Sequence, residues 1–179
     1  MTEERLFSRI VRVDAIPRDG QVVTIEASPA EREALASFYK LPAIAALTAT
    51  LRLDPWSRGG ARVTGVVHGE LTQVCIVSLE PFAATLDEDV DVRFASPTDA
   101  DPRSRGGEET ETLSLDEEDE PDPVIDGKID LGALTAEFFA LGLDPYPRKP
   151  GAVFEKSAEP EPTESPFSAL ASRVKSGSK

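Results

Sequence analysis

The sequence predicts an α+β domain, in which two helices pack over a largely antiparallel sheet of five to seven strands. Long segments alternate apolar and polar residues, as strands with one buried face do. Short turns rich in Gly and Pro separate these segments. Two further segments carry clear helix-start signals, and nothing in their order suggests strand–helix–strand crossovers. A sheet of this size can curl into a partial barrel.

The first two predicted strands are residues 6–13 and 21–26. Pro17, Asp19 and Gly20 form a turn between them, so we expect the two strands to pair as a hairpin.

The first helix is predicted to begin at Ser28, which can cap the free N–H groups of the first turn. Pro29 suits the first helical position, and Glu31 can complete a capping box with Ser28. We expect Pro42 to end the helix, and three apolar side chains to face the core: Ala34, Leu35 and Phe38.

Three longer strands are predicted at residues 43–53, 63–77 and 82–94. Gly65 and Gly69 predict a bulge or the close approach of another backbone, with a bend near Gly69. Glu88 alone interrupts the apolar face of the last strand, which predicts a bulge or an edge position there. The predicted inward faces are Ala45, Leu47, Ala49, Leu51 and Leu53; Val63, Val67 and Leu71; and Phe82, Ala84, Leu86, Val90, Val92 and Phe94.

The second helix is predicted to begin after Asp130, which is a good N-cap, and to end before Pro145. Its expected apolar stripe is Leu131, Leu134, Phe138 and Leu141, widened by Phe139 and Leu143. The exit contains Pro145, Pro147 and Pro150. One interpretation is a core helix with a rigid exit; the other is that Tyr146, Arg148 and Lys149 between these prolines form a contact surface.

Charge divides the 179 residues unevenly. Of the net charge of −14, residues 99–122 contribute −9, from eleven acidic and two basic residues. We expect one domain at 1–151 containing a mobile acidic loop at 99–122, in which residues 112–115 could add a short strand. Residues 152–179 are expected to form a flexible tail. A short amphipathic helix is predicted at 166–175, where Phe167, Leu170 and Val174 could dock on a partner; a frayed end is the alternative.

The sequence lacks the residue combinations that most enzyme classes need, so we expect no catalytic activity, cofactor or metal. His68 is the only histidine and is predicted to be solvated, while the single Cys75 is predicted to be a small buried residue. The acidic balance argues against DNA as a partner. The start Met-Thr-Glu-Glu-Arg is unlike a signal peptide, and no segment suits a bilayer, so we expect a cytoplasmic protein.

Five short motifs occur in order along the chain: V-T-G-V-V at 63–67, Q-V-C-I-V-S-L-E-P-F at 73–82, I-D-L at 129–131, D-P-Y-P-R-K-P-G at 144–151, and S-P-F at 165–167 followed by Leu170. Together they resemble the YceD family, the large ribosomal RNA subunit accumulation proteins, in an alphaproteobacterial form. Many members have C-x-x-C where this chain has Cys75 and Ser78, so a metal or redox role for that pair is in doubt.

The resemblance implies a non-enzymatic ribosome-biogenesis factor that supports synthesis, processing or stability of 23S rRNA. In one mechanism, six side chains contact rRNA phosphates and bases: Trp56, Arg58, Arg62, Tyr146, Arg148 and Lys149. In the other, the acidic surface binds a basic large-subunit ribosomal protein such as L32. Gene neighbourhood in the family suggests a third role, as a regulatory partner of lipid-synthesis proteins.

Overall fold

The computed structural model describes residues 6–56, 59–96 and 121–154. Seven strands and two helices lie in these ranges, together with a 3-10 turn at Val13–Ala15. The strands are β1 (Ile10–Arg12), β2 (Gln21–Glu26), β3 (Ala43–Trp56), β4 (Gly60–Val74), β5 (Pro81–Ala95), β6 (Asp122–Pro123) and β7 (Lys128–Asp130). The helices are α1 (Pro29–Tyr39) and α2 (Leu131–Leu141).

The main sheet has five strands in the order β2-β3-β4-β5-β6. All of its neighbours are antiparallel except β5 and β6. Both helices lie on one side of this sheet, where Leu35 of α1 and Phe139 of α2 join the core. The predicted α+β class is therefore confirmed.

The expected hairpin between the first two strands is wrong. β1 pairs instead with β7, with Val11 opposite Ile129, and β2 pairs with β3. The chain leaves β1 through the 3-10 turn, and the Arg9 N–H donates to the Asp130 carboxylate at 2.8 Å, which holds β1 beside β7. A carboxylate 121 residues further along the chain thus fixes the position of the N-terminal strand.

The long strands β4 and β5 pair without a register shift from Ala61 opposite Phe94 to Val74 opposite Pro81. The predicted bend at Gly69 and the bulge at Glu88 are therefore not found, whereas the alternative of an edge position for Glu88 is consistent with the strand order. The register shifts instead between Ile44 and Ala46 of β3. This irregularity buries Ile44, where the alternation had predicted Ala45.

Two glycines of β4 permit the close approach of other groups. A Cβ at Gly65 would collide with the carbonyl oxygen of Thr50 on β3, so this glycine allows two backbones to approach. A Cβ at Gly69 would lie 2.7 Å from the ring of Phe139. The aromatic ring of α2 therefore occupies the space that a side chain at Gly69 would take.

The core centres on Phe139, which is fully buried. Leu141 is 70% exposed and Phe138 is only half-buried, so the buried side of α2 is rotated from the predicted stripe. In α1, Phe38 is 66% exposed, and the core contact is made by Tyr39, whose hydroxyl donates to the Ala136 carbonyl at 2.8 Å. The buried side of α2 comprises Leu131, Gly132, Leu134, Thr135 and Phe139.

Several predicted features lie outside the described ranges. They are nearly all of the acidic segment 99–122, the side chain of Arg58, and the tail residues Phe167, Leu170 and Val174. Neither helix in the described part of the chain is long and apolar enough to cross a membrane.

Candidate functional site

The predicted contact residues divide between the two ends of β4. Trp56 and Arg62 lie at the β3–β4 hairpin, while Tyr146 and Lys149 lie beside the turn that joins β4 to β5. From Arg62 to Val74 the strand extends roughly 40 Å at the usual rise of a β-strand. The structure therefore does not bring these residues into one patch.

At the hairpin end, ion pairs neutralise much of the positive charge. Arg62 donates to both carboxylate oxygens of Asp91, at 2.8 and 2.6 Å, and this bonding lowers the pKa of Asp91. The guanidinium carbon of Arg93 lies 5.9 Å from the centre of the Trp56 ring, which gives a cation–π contact. Arg93 was not among the predicted contact residues. The strand register, which places Arg93 opposite Arg62, is the feature that could have identified it.

At the other end, the proline-rich exit of α2 is bound to the β4–β5 turn by hydrogen bonds. The Ile76 N–H donates to the Pro147 carbonyl at 2.9 Å, and the Gln73 side chain donates to the Asp144 carbonyl at 3.3 Å. Because each proline ring fixes its own φ, the segment between them loses little freedom when it docks. Both interpretations of this segment are thus compatible with its geometry.

This exit segment exposes an aromatic ring beside two cations. Tyr146 is 70% exposed, and Arg148 is exposed without an ion pair among the described residues. Lys149 donates to Glu80 at 2.8 Å, which raises the pKa of Lys149 and lowers that of Glu80. Tyr146 and Arg148 are therefore the candidate contacts that remain available to a partner.

The turn between β4 and β5 encloses the thiol of Cys75. The Cys75 N–H donates to the Glu80 carbonyl at 2.9 Å, and the N–H groups of Val77 and Ser78 each donate to its Sγ at 3.4 Å. Hydrogen bonding from Ser78 lowers the pKa of the Cys75 thiol to about 6, so the turn favours the thiolate. The side chain is fully buried, as predicted.

The side of the sheet away from the helices carries a row of carboxylates. Asp87, Asp89 and Asp91 alternate along β5, and all three are exposed. His68 of β4 donates from Nδ1 to Asp87 at 2.7 Å, which raises the pKa of His68. His68 lies on the polar side, as predicted, but this partner was missed because it depends on the register of β4 against β5. Among the described residues, no three His, Cys, Asp or Glu side chains are grouped to hold a metal ion.

Residues 63–172 match the family model described as "Large ribosomal RNA subunit accumulation protein YceD". The match begins in β4 and includes β5, the acidic segment, α2 and its exit, which is more than half of the chain. The chain belongs to the YceD family, and this membership supports a role in ribosome biogenesis. No curated protein and no solved structure matches the chain.

Proposed function

We propose that the protein is a non-enzymatic ribosome-biogenesis factor that supports the synthesis, processing or stability of 23S rRNA in the large subunit. The observation that carries this proposal is the family match over residues 63–172. Consistent with a binding role, exposed charged side chains pair across β4 and β5, as Arg62 does with Asp91 and His68 with Asp87.

The exit of α2 is the best-supported place for direct contact with rRNA. Tyr146 can stack on an unpaired base, and Arg148 can bind a phosphate without first breaking an ion pair. The hairpin end is less suitable, because Arg62 is already held by Asp91 through two hydrogen bonds. Lys149 would have to exchange Glu80 for a phosphate.

A second candidate function is binding of a basic large-subunit ribosomal protein, of which L32 is the example suggested by the family's gene neighbourhood. The observation in its favour is the exposed row of Asp87, Asp89 and Asp91 on the bare side of the sheet. A row of like charges favours a partner of opposite charge and repels a phosphate backbone.

The proposed function is tested by deleting the gene and measuring 23S relative to 16S rRNA. We expect the ratio to fall, and to recover when the wild-type gene is supplied. An unchanged ratio in the deletion strain would contradict the proposal.

The direct rRNA contact is tested by purifying the double variant Arg148→Ala, Lys149→Ala, with the exposed Arg18→Ala as the matched control. Because the double variant lacks two cations that can bind phosphates, its affinity for 23S fragments should be lower. The slope of log K against log salt should also decrease by roughly 0.7 for each phosphate that the variant no longer binds. The control should retain both affinity and slope; an equal decrease in the control would point to a general charge effect.

A further inference from the structure

Among the described residues, the outer edge of β5 is open along most of the strand. β6 covers it only at Phe94 and Ala95, and β4 pairs with the opposite edge. Within the described ranges, no backbone hydrogen bond reaches residues 81–92 from outside β4. An edge of this length has alternate N–H and C=O groups available to another strand.

Side chains along this edge alternate between two chemistries. Asp87, Asp89 and Asp91 point to the bare side of the sheet, with roughly 7 Å between successive carboxylates. Leu86 and Val90 point to the helical side and are buried there, and Glu88 between them points to the same side, next to Gly142 at the end of α2. A strand added beside β5 would therefore meet three carboxylates on one of its faces, and two buried apolar side chains with one carboxylate on the other.

The three carboxylates differ in how far they are neutralised. Asp91 is held by Arg62, and Asp87 is bonded to His68, which is charged only when protonated. Asp89 has no ion pair in the described part of the chain. The middle of the edge therefore carries unneutralised negative charge beside unpaired backbone groups.

We propose that the open edge of β5 binds an extended, Lys/Arg-rich segment of a partner protein by strand addition. Backbone hydrogen bonds to residues 81–92 supply the register, and basic side chains at alternate positions of the added strand lie beside Asp87, Asp89 and Asp91. This inference rests on the second candidate function and assigns it a surface.

Charge distinguishes this occupant from two others. An RNA strand would bring phosphates against the aspartates and could not form the backbone ladder. The chain's own residues 97–120 carry ten acidic and two basic residues, so the same aspartates repel them. A basic extended protein segment satisfies both the backbone groups and the charges.

The test uses the full-length protein and a synthetic nine-residue peptide that alternates Lys and Thr, with blocked ends. We expect the peptide to bind, and to slow hydrogen exchange of the amides in residues 81–92. Two further peptides are methylated on backbone nitrogens. The first is methylated at every Lys residue and the second at every Thr residue. Because alternate N–H groups of a strand point to opposite edges, one of these peptides should lose binding and the other should retain it.

Charge is tested with the double variant Asp87→Asn, Asp89→Asn, which should weaken binding by about tenfold, since exposed charge pairs each contribute modestly. Glu26→Gln, on β2 at the far side of the sheet, is the matched control and should leave the affinity unchanged. A peptide alternating Glu and Thr should not bind.

Four results would overturn the inference. They are no binding of the Lys–Thr peptide, equal binding of both N-methylated peptides, protection confined to other parts of the chain, and protection of the β5 edge already complete without peptide. None of them alters the 23S to 16S ratio of the deletion strain, so failure here and failure of the proposed function can be told apart.

Discussion

The two faces of the central sheet differ in how deeply their side chains are buried. On the helical face, Leu51, Leu53, Val63 and Val67 are fully buried. On the opposite face, the alternating residues of β3, β4 and β5 are exposed or half-buried, and none is covered by a described helix. Stability therefore resides on one face, while the other is available for contacts.

Ion pairs follow the same division. Arg9 belongs to the N-terminal segment and links it to both helices. Its guanidinium donates to Glu31 of α1 at 2.7 and 2.9 Å, and its backbone N–H donates to Asp130, the N-cap of α2. This bonding from Arg9 lowers the pKa of Glu31 to about 2. The exposed pairs of the bare face join neighbouring strands, as His68 and Asp87 do, or residues two apart on one strand, as Arg52 and Asp54 do.

The largest effect is expected from Phe139→Ala, which should lower the free energy of unfolding by about 3–5 kcal/mol. Phe139 is fully buried and fills the space over Gly69, so its removal leaves a cavity. Urea denaturation followed by circular dichroism measures the change. Phe38→Ala is the control: its ring is mostly exposed and makes an edge-to-face contact with Tyr39, so about 1 kcal/mol or less is expected. Equal losses for the two variants would contradict the placement of Phe139 in the core and of Phe38 in solvent.

Glu31→Gln should cost about 1–2 kcal/mol at pH 7, because it removes the charged partner of Arg9. The pKa of Glu31 is depressed in the folded state, so this contribution is complete above the unfolded pKa of about 4.3 and is lost as pH falls towards 2. Urea denaturation between pH 7 and pH 3 should therefore show the two curves converging in acid.

The matched control for Glu31→Gln is Asp14→Asn, which breaks the exposed pair with Arg12. It should change stability little, since both of its side chains are about two-thirds exposed. Parallel pH curves for wild type and Glu31→Gln would refute the assigned role of Glu31.

A smaller effect is expected from His68→Gln on the bare face. The pKa of His68 is raised, so its contribution is complete below the unfolded pKa of about 6.5 and is lost as pH rises through the folded value. Asp87 at 2.7 Å and Glu70 at 3.9 Å are the carboxylates that face it, and both are largely exposed. We expect less than about 1 kcal/mol.

The pKa of His68 can be measured directly by NMR titration. Asp87→Asn should move it back towards its ordinary value, and Thr85→Ser, further along the same face of β5, should leave it unchanged. An unchanged pKa of His68 in Asp87→Asn would show that the hydrogen bond is not formed in solution.

The smallest effect is expected from Val66→Thr, within about 0.5 kcal/mol of wild type. Val67→Thr, one residue along β4, places a hydroxyl in the core and should cost about 1–3 kcal/mol. Comparing the two by thermal unfolding tests the assignment of faces at a single step of the strand. Similar costs for both would mean that the bare face is covered in solution.

Features that depend on neighbours in sequence could be predicted. The bounds of β2 and the capping box of Ser28 with Glu31 are found as expected. Asp130 also caps α2 as predicted. In each case the signal and the structure lie within a few residues, so the local pattern contains all of the information.

Features that depend on packing could not be predicted. The periodicity of α2 placed both Phe139 and Leu141 in the apolar stripe; Phe139 is buried over Gly69 as predicted, but Leu141 is left in solvent. For the candidate site, sequence reasoning named Arg62 and Lys149 but not the carboxylates that neutralise them, Asp91 and Glu80. These partners are 29 and 69 residues away and are set by strand register and by docking of the exit segment.

The sequence by itself determined which side of each long strand is apolar, where both helices begin, and the family to which the chain belongs. Tertiary structure alone decided that β1 pairs with β7, which candidate cations are neutralised, and that the edge of β5 is open among the described residues. The physical reason is that alternation and capping act over a few residues. Pairing, neutralisation and exposure depend on contacts between segments that only folding brings together.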